Sequence, residues 1–284
     1  MKSLLVFVAL FVPSLQFPLN GTLEGPDELI FNGAPAPNGA YPFFVSLQVQ
    51  GYYHTCGGAL ISNQYILTAA HCVWSPQDNY YYAQQAEQAF VERVSIRLGT
   101  NLPNGGQLIR VRAAKVHPQY NRQSLMNDVA IVALAQPVRF SNLIRPIRLS
   151  ASHTGPGSAR VIGFGYMAYD PESKQGRSPP NLQHLQVSID SDRTCNSQLF
   201  PSYMKATTIC VMGNRAGVLP GDSGSPMVQQ RGNQWVQIGI ASFADHYGYL
   251  KNRNGQIFAP AGYVRVSSYC TFIAQLTGNA VQCQ

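Results

Sequence analysis

The chain has 284 residues, of which 12% are charged, and it contains 25 glycines and 19 prolines. This composition excludes a chain of long amphipathic helices and favours an all-β protein, built as one large domain or two small ones around a buried core. The formal net charge of +7 could suit acidic partners, but Lys and Arg form no dense cluster, so we expect a generally basic surface and no nucleic-acid partner.

The first 29 residues predict a leader. A short basic start precedes an apolar run, Leu4 to Val12, that is too short to span a bilayer and is typical of a secretory signal peptide. We expect the signal peptide at residues 1–16, with a cleavage point that the sequence leaves open, and a pro-segment at residues 17–29. We find no later run that is suited to a membrane anchor, so the predicted location is extracellular.

Short β-rich runs separated by turns fill the rest of the chain. In the first half they predict strands at residues 43–49, 58–62, 65–69, 91–98, 108–117 and 129–134, a spacing typical of a β-barrel. The second half has the same texture at residues 160–162, 182–189, 208–212, 226–229, 235–242 and 262–266, without an internal sequence repeat. Val266 to Leu276 is predicted as a closing helix, because its apolar residues recur at helical spacing and Gly278 follows as a stop.

Three stretches carry residues suited to nucleophilic catalysis. The tight turn Gly221-Asp222-Ser223-Gly224 exposes a hydroxyl and directs backbone N–H groups at one point. A serine hydroxyl is a weak nucleophile until a base removes its proton, and that base needs an acid to fix its tautomer. His71, at the end of the apolar run 67–70, supplies the base, and Asp128, at the head of the run 129–132, supplies the acid. Each residue alone could be structural, but their joint placement favours a catalytic role; His54, His117, His153, His184 and His246 lack such support.

These motifs, in this order, resemble those of the chymotrypsin-like, or trypsin-like, secreted serine proteases. The resemblance covers nearly all of the chain from Ile30 onward and implies a protease domain at residues 30–284. The implied fold is all-β: two six-stranded antiparallel barrels, at about residues 30–145 and 146–265, with the active site between them and a terminal helix at 266–276. It also implies acyl transfer by His71, Asp128 and Ser223, with the N–H groups of Gly221 and Ser223 forming the oxyanion hole.

The resemblance also implies activation by cleavage. Ile30-Phe31-Asn32-Gly33 is similar to the mature N-terminus of the family, whose new α-amino group pairs with the acid before the nucleophile, here Asp222. The residue before the cut is Leu29, where the family commonly has Arg or Lys. We therefore expect an activating protease that cleaves after leucine, either another enzyme or this one acting on itself.

Six cysteines predict three disulfides in an oxidising compartment, and the resemblance implies how they pair. Cys56 with Cys72 would staple the histidine loop, and Cys195 with Cys210 matches a second bridge of the family. Cys270 with Cys283 would tie the terminal helix to the tail, which is less usual. Leu219 stands where the family normally has a cysteine, so the walls of the specificity pocket lack one disulfide that is usual in the family.

The substrate preference can be inferred only by matching positions of this chain to the pocket positions of the family. The floor of the pocket falls on Gly217, so the acid that would hold an Arg or Lys side chain is absent. Ser242-Phe243-Ala244 stands where Ser-Trp-Gly is usual, and Ala261 stands where glycine is common. Two added methyl groups predict a narrower pocket for small to medium apolar side chains, closer to elastase than to chymotrypsin. Ser225 also departs from the family, which has glycine there, and we expect this change to be tolerated.

One segment is longer than the family requires. The Gln- and Tyr-rich stretch from Ser75 to Ala89 adds about 16 residues. Because it begins three residues after Cys72, we expect it to border the cleft near His71. It either restricts access, binds extended substrate or is a solvated loop without a special function.

Two rival functions remain open at the level of sequence. The first is a catalytically weak or inactive homologue that acts as a binding or regulatory protein, which Leu29, Ser225 and the missing bridge would suit. The second is a secreted lectin-like or inhibitor-like β protein, which explains neither the Ile30 segment nor Asp222. For the protease we expect a monomer whose partners are protein or peptide substrates, protein protease inhibitors and an activating protease. We expect no cofactor and no metal, since no metal-ligand spacing occurs.

Overall fold

The computed structural model describes residues 33–152, 155–170, 175–189, 206–214, 219–244, 250–251 and 257–284. Within these ranges the chain is mostly strand. The strands are β1 (Ala34–Pro35), β2 (Phe44–Val49), β3 (Tyr53–Leu60), β4 (Tyr65–Thr68), β5 (Val94–Leu98), β6 (Gln107–Val116), β7 (Ala130–Leu134), β8 (Arg148–Leu149), β9 (Gly157–Gly163), β10 (Ala168–Asp170), β11 (Gln175–Arg177), β12 (Gln183–Ile189), β13 (Thr208–Asn214), β14 (Pro226–Arg231), β15 (Gln234–Ala244), β16 (Leu250–Lys251) and β17 (Ile257–Arg265).

The first barrel closes in the order β2, β3, β4, β7, β6 and β5. Its strands have the alternation that a filled barrel requires: Val94, Ile96 and Leu98 of β5 are buried, and the residues between them are partly exposed. The inward side chains of all six strands form one apolar cluster. Closure pairs every strand on both sides, so this barrel has no free edge.

The second barrel is closed by the strands β9, β12, β13, β17, β15 and β14, each of which pairs with the next, and β14 pairs with β9. The prediction of two six-stranded antiparallel barrels is therefore confirmed. A 3₁₀ turn, Val266–Tyr269, leads into the short C-terminal helix α2, Cys270–Leu276. No helix in the described part of the chain has the length and apolar character needed to cross a membrane.

A separate apolar cluster joins the two barrels. It contains Ala69 and Val129 from the first barrel and Phe164, Val228 and Ile240 from the second, all of them buried. Because Ala69 is close to His71 in sequence and Val129 follows Asp128, this packing holds both residues at the junction of the barrels.

The stretch Ser75 to Ala89, for which no helix was predicted, contains the start of one. Helix α1 spans Ala83–Arg93, so residues 91–93, which were predicted to begin a strand, are helical, and the strand begins at Val94. Its Ala, Gln and Glu residues are strong helix formers. Ala86, Glu87 and Phe90 are buried at a spacing of one, three and four residues, which places them on the face that packs against β6.

Candidate active site

His71 and Asp128 are brought together by strand pairing. His71 lies in a 3₁₀ turn, Ala70–Cys72, directly after β4, and Asp128 lies just before β7. The two strands pair antiparallel with Thr68 opposite Ala130, so the end of one meets the start of the other. The carboxylate then contacts the histidine twice: His71 Nδ1 lies 2.7 Å from Asp128 Oδ2, and the backbone N–H of His71 donates to Asp128 Oδ1 at 2.8 Å.

The Asp128 carboxylate is fully buried and is held by a third donor. Its exposed fraction is 0%, and Ser242 Oγ donates to Asp128 Oδ2 at 2.6 Å. Ser242 was predicted as a wall of the specificity pocket, and the structure gives its hydroxyl this contact. The three donors satisfy a buried charge that would otherwise be costly.

The histidine is arranged to accept a proton. Burial alone would lower the pKa of His71, but the charge of Asp128 and its hydrogen bond outweigh burial, so the pKa lies above the ordinary value of 6.5. Because Nδ1 faces Asp128, the ring directs its other nitrogen, Nε2, away from the carboxylate. This is the geometry of a general base whose tautomer is fixed by an acid.

The Ser223 turn packs against the first barrel. The N–H of Gly57 donates to the Ser223 carbonyl at 2.8 Å, and the N–H of Gly224 donates to Ala241 O at 2.8 Å. Gly224 has φ +77°, and a Cβ at this position would collide with Thr68 Oγ1 and the Gly57 carbonyl, so only glycine fits.

The N–H groups of the turn divide into two sets. Those of Asp222, Gly224 and Ser225 donate to carbonyls of the protein. Those of Gly221 and Ser223 have no acceptor in the part of the chain that the structure describes. They are therefore available to an oxyanion, which is the role that the sequence predicted for them.

Ser223 and His71 line one cavity of about 300 Å³. Among the described residues no hydrogen bond joins their side chains. Hydrogen bonds between catalytic groups often tighten only when substrate is bound, so this separation is compatible with catalysis.

The acid beside the nucleophile, Asp222, is buried at 1% exposure. Its carboxylate accepts hydrogen bonds from the backbone N–H groups of Gly165 at 2.8 Å and Leu219 at 3.0 Å. Burial raises its pKa from 3.8 to about 7, although both hydrogen bonds oppose the shift. Within the described ranges no Lys, Arg or His side chain forms an ion pair with it. Ile30, its predicted partner, lies outside the described residues.

Sequence reasoning missed His54. Its Nε2 lies 2.8 Å from the carbonyl of Gly221, and its Nδ1 lies 2.7 Å from Ser46 Oγ. Burial lowers the pKa of His54 to about 4, although the Gly221 carbonyl opposes the shift, so the ring is neutral at pH 7. No sequence pattern marks His54, because its contact spans 167 positions.

The predicted pocket residues are only partly described. Phe243 pairs with Gly262, and Ala244 pairs with the buried Ala261, where β15 meets β17. The ring of Phe243 lies so close to Gly262 that a Cβ there would collide with it. Gly217, the predicted floor, lies outside the described residues.

The disulfides frame the site and the tail. Cys56 is bonded to Cys72, next to His71, and Cys270 is bonded to Cys283. Cys210 is also disulfide-bonded, whereas its predicted partner, Cys195, lies outside the described residues. Cys56, His71 and Cys72 form the one close grouping of metal-type ligands in the described part of the chain, and the disulfide occupies both sulfurs.

Comparison with known proteins agrees with this arrangement. The profile of the trypsin family matches residues 30–273. The chain belongs to the trypsin family. It is 35% identical to a trypsin of Sarcophaga bullata over 240 residues, which are 83% of this chain and 87% of that protein.

Other relatives have a similar level of sequence identity to this chain. Trypsin delta of Drosophila melanogaster is 30% identical over 249 residues, 86% of this chain and 89% of that protein. Transmembrane protease serine 9 of Rattus norvegicus is 31% identical over 249 residues, 87% of this chain but 22% of that longer protein. Family membership makes this chain a serine-type endopeptidase that acts on protein substrates.

Proposed function

We propose that the chain is a secreted endopeptidase that forms an acyl-enzyme on Ser223. His71 takes the hydroxyl proton and returns it to the leaving amine, Asp128 orients His71, and the N–H groups of Gly221 and Ser223 hold the oxyanion. The observation that supports this most directly is the hydrogen bond of His71 to the buried Asp128 carboxylate, because His71 also lines the same cavity as Ser223.

Substitution of the nucleophile tests this proposal. The processed chain should hydrolyse peptides, and Ser223→Ala should abolish the reaction, whereas Ser152→Ala, at an exposed serine, should not. A folded, processed chain without peptidase activity would instead support the weak or inactive homologue that acts by binding.

We further propose that the enzyme is made as a zymogen. Cleavage after Leu29 would free the α-amino group of Ile30, and this cation would compensate the buried Asp222 carboxylate, whose raised pKa shows that burial disfavours its charge. N-terminal sequencing of the active form should begin at Ile30. An active form with another N-terminus, or activation that requires cleavage after Arg or Lys, would contradict the proposal.

For the residue before the scissile bond, we propose a preference for small to medium apolar side chains such as Leu, Met, Ala and Val. Gly217 offers no acid to a cation, and the methyl groups of Ala244 and Ala261 narrow the pocket. A peptide library should be cleaved mainly after such residues. Cleavage mainly after Arg or Lys, the residues an acidic pocket floor would bind, would refute this preference.

A further inference from the structure

The cavity beside the catalytic residues is bounded by the insertion. The cavity has a volume of about 300 Å³, and one side of it is lined by His71, Ser223 and the Cys56–Cys72 disulfide. The other side comes from the segment that runs from Ser75 through α1 to Val94; it contributes Ser75, Asp78, Phe90, Arg93 and Val94. Cys56, Val73, Phe90 and Val94 are buried and make the base of the cavity largely apolar.

The first half of the insertion is held by one arginine. The Arg122 guanidinium donates five hydrogen bonds to backbone carbonyls of Ser75, Pro76, Asp78 and Tyr80, at 2.5–3.1 Å. Its Cζ also lies 5.0 Å from the centre of the Trp74 ring. Because guanidinium donors have a fixed planar geometry, these contacts fix the path of the loop rather than merely neutralise charge.

The second half is held by a buried glutamate. Glu87 of α1 is 7% exposed, and its Oε1 accepts the backbone N–H of Val116 at 3.1 Å. Its Oε2 lies 2.6 Å from Lys115 Nζ. The ion pair and the backbone hydrogen bond attach α1 to β6, and the buried Phe90 packs at the same interface. Both halves of the insertion are thus fixed before any substrate arrives, which favours a wall over a solvated loop.

The position of the cavity tells which part of a substrate would enter it. The proposed acyl-side pocket is built from β15 and β17, and neither strand contributes to this cavity. A peptide bond at Ser223 therefore has its departing amine on the side of His71 and the Cys56–Cys72 disulfide. The side chain that follows the scissile bond would enter the cavity.

We propose that the insertion and the rest of α1, together residues 75–93, form the specificity wall for the residue after the scissile bond, and that Arg122 and Glu87 are the positioning residues of this wall. This inference rests on the proposed function. The apolar base of the cavity favours a compact apolar side chain on the substrate. The rim of the cavity carries one carboxylate, Asp78, and one guanidinium, Arg93, so neither a cationic nor an anionic substrate side chain gains a net advantage.

Acyl transfer measures this selection separately from the first half of the reaction. The processed enzyme receives a peptide ester with an apolar acyl residue, and amino-acid amides then compete with water for the acyl-enzyme. In the transfer step the amine forms a C–N bond to the acyl carbon, the bond from that carbon to Ser223 Oγ breaks, and His71 passes the amine proton to Oγ. The ratio of amide product to acid product reports binding of the departing-side residue alone.

We expect leucine amide to be preferred over tryptophan, lysine and glutamate amides on the order of tenfold, the effect of modest changes of fit in an apolar pocket. Arg122→Ala should reduce this preference to less than about threefold. Arg145→Ala is the matched control, because this exposed arginine also donates to a loop carbonyl, that of Ser141, but does not line the cavity. Its ratio should equal that of the unmodified enzyme.

Two further variants keep the test informative if Arg122→Ala does not fold. Glu87→Gln preserves shape but removes the ion pair with Lys115, and it should lower the preference in the same direction. Arg93→Ala, at an exposed position, leaves Asp78 alone at the rim and should favour lysine amide over glutamate amide.

The outcomes separate the two proposals. If the processed enzyme does not hydrolyse the ester, the proposed function fails. If ester hydrolysis is normal but the amides are not discriminated, or all variants keep the same ratios, the specificity wall is refuted while the proposed function stands.

Discussion

At the scale of single residues, the site depends on the buried Asp128 carboxylate. It accepts hydrogen bonds from the His71 backbone, the His71 ring and Ser242 Oγ. Removing its charge while preserving its shape should leave the fold intact but allow the wrong tautomer of His71.

We therefore predict that Asp128→Asn lowers kcat by about 10⁴-fold, the loss that this substitution causes in the family's reference enzyme. Ser242→Ala should have a smaller effect, because two of the three donors to Asp128 remain. The measurement is kcat on a peptide substrate at pH 8, with circular dichroism as the check on folding. An Asn variant that keeps most of its activity would contradict the assigned role.

In the proposed mechanism the pH dependence of catalysis follows from His71. The ring would have to be neutral to accept the Ser223 proton, and Asp128 holds the pKa of His71 above 6.5. We expect kcat/KM to rise with pH through an apparent pKa above 6.5 and to level off in the alkaline range. In Asp128→Asn the residual activity should have a lower apparent pKa, because the attraction is lost while burial remains. An unchanged profile would show that another group controls the acid limb.

At the scale of elements, the shape of the nucleophile turn depends on a glycine as well as on the hydrogen bonds of the Asp222 carboxylate. Gly224 has φ +77° and faces Thr68 and Gly57 directly. Gly232, between β14 and β15, has φ +59° but has open space where a Cβ would lie.

This pair provides a matched test of the turn. Gly232→Ala should cost about 1–2 kcal/mol of unfolding free energy, from backbone strain alone. Gly224→Ala should cost more, because the new methyl group collides with Gly57 of β3 and Thr68 of β4, and it should reduce kcat as the oxyanion N–H groups are displaced. Urea unfolding with kinetics on the folded fraction measures both. Equal stability and activity in the two variants would show that the turn is not constrained as described.

The insertion shows where the sequence is ambiguous at this scale. The alternating pattern of β5 and β6 predicts barrel strands, whereas the stretch around Tyr80 to Arg93 has a polar and aromatic composition with no clear pattern. The burial of Glu87 in this stretch cannot be predicted locally, because it depends on contacts with the distant Lys115 and Val116. His54 was missed for the same reason, since its partner Gly221 is far along the chain. By contrast, the His71, Asp128 and Ser223 stretches could be found because each carries a local motif. Long-range contacts leave no such local signal.

At the scale of the whole molecule, the proposed activation would link processing to stability through Asp222. In the full chain the folded pKa of Asp222, about 7, exceeds the ordinary value of 3.8. As pH rises between these values the unfolded chain loses the proton first, so this group makes folding less favourable across that window and adds no further change above it.

We predict that the unfolding free energy of the precursor contains a component that declines from about pH 4 to about pH 7, and that Asp222→Asn removes it. In the processed form the Ile30 ammonium should lower the pKa of Asp222 and also remove this decline. Tm measured against pH on precursor, processed protein and variant tests the linkage. Parallel curves for precursor and Asp222→Asn would contradict it.

The central claim is that processing creates a single nucleophile at Ser223. The most direct test is mass-spectrometric location of the adduct after reaction with a fluorophosphonate, on both precursor and processed protein. The account predicts one adduct, on the peptide that contains Ser223, which forms rapidly only in the chain that begins at Ile30 and disappears in His71→Ala. An adduct on another residue, or none in a processed protein that still hydrolyses peptides, would contradict it.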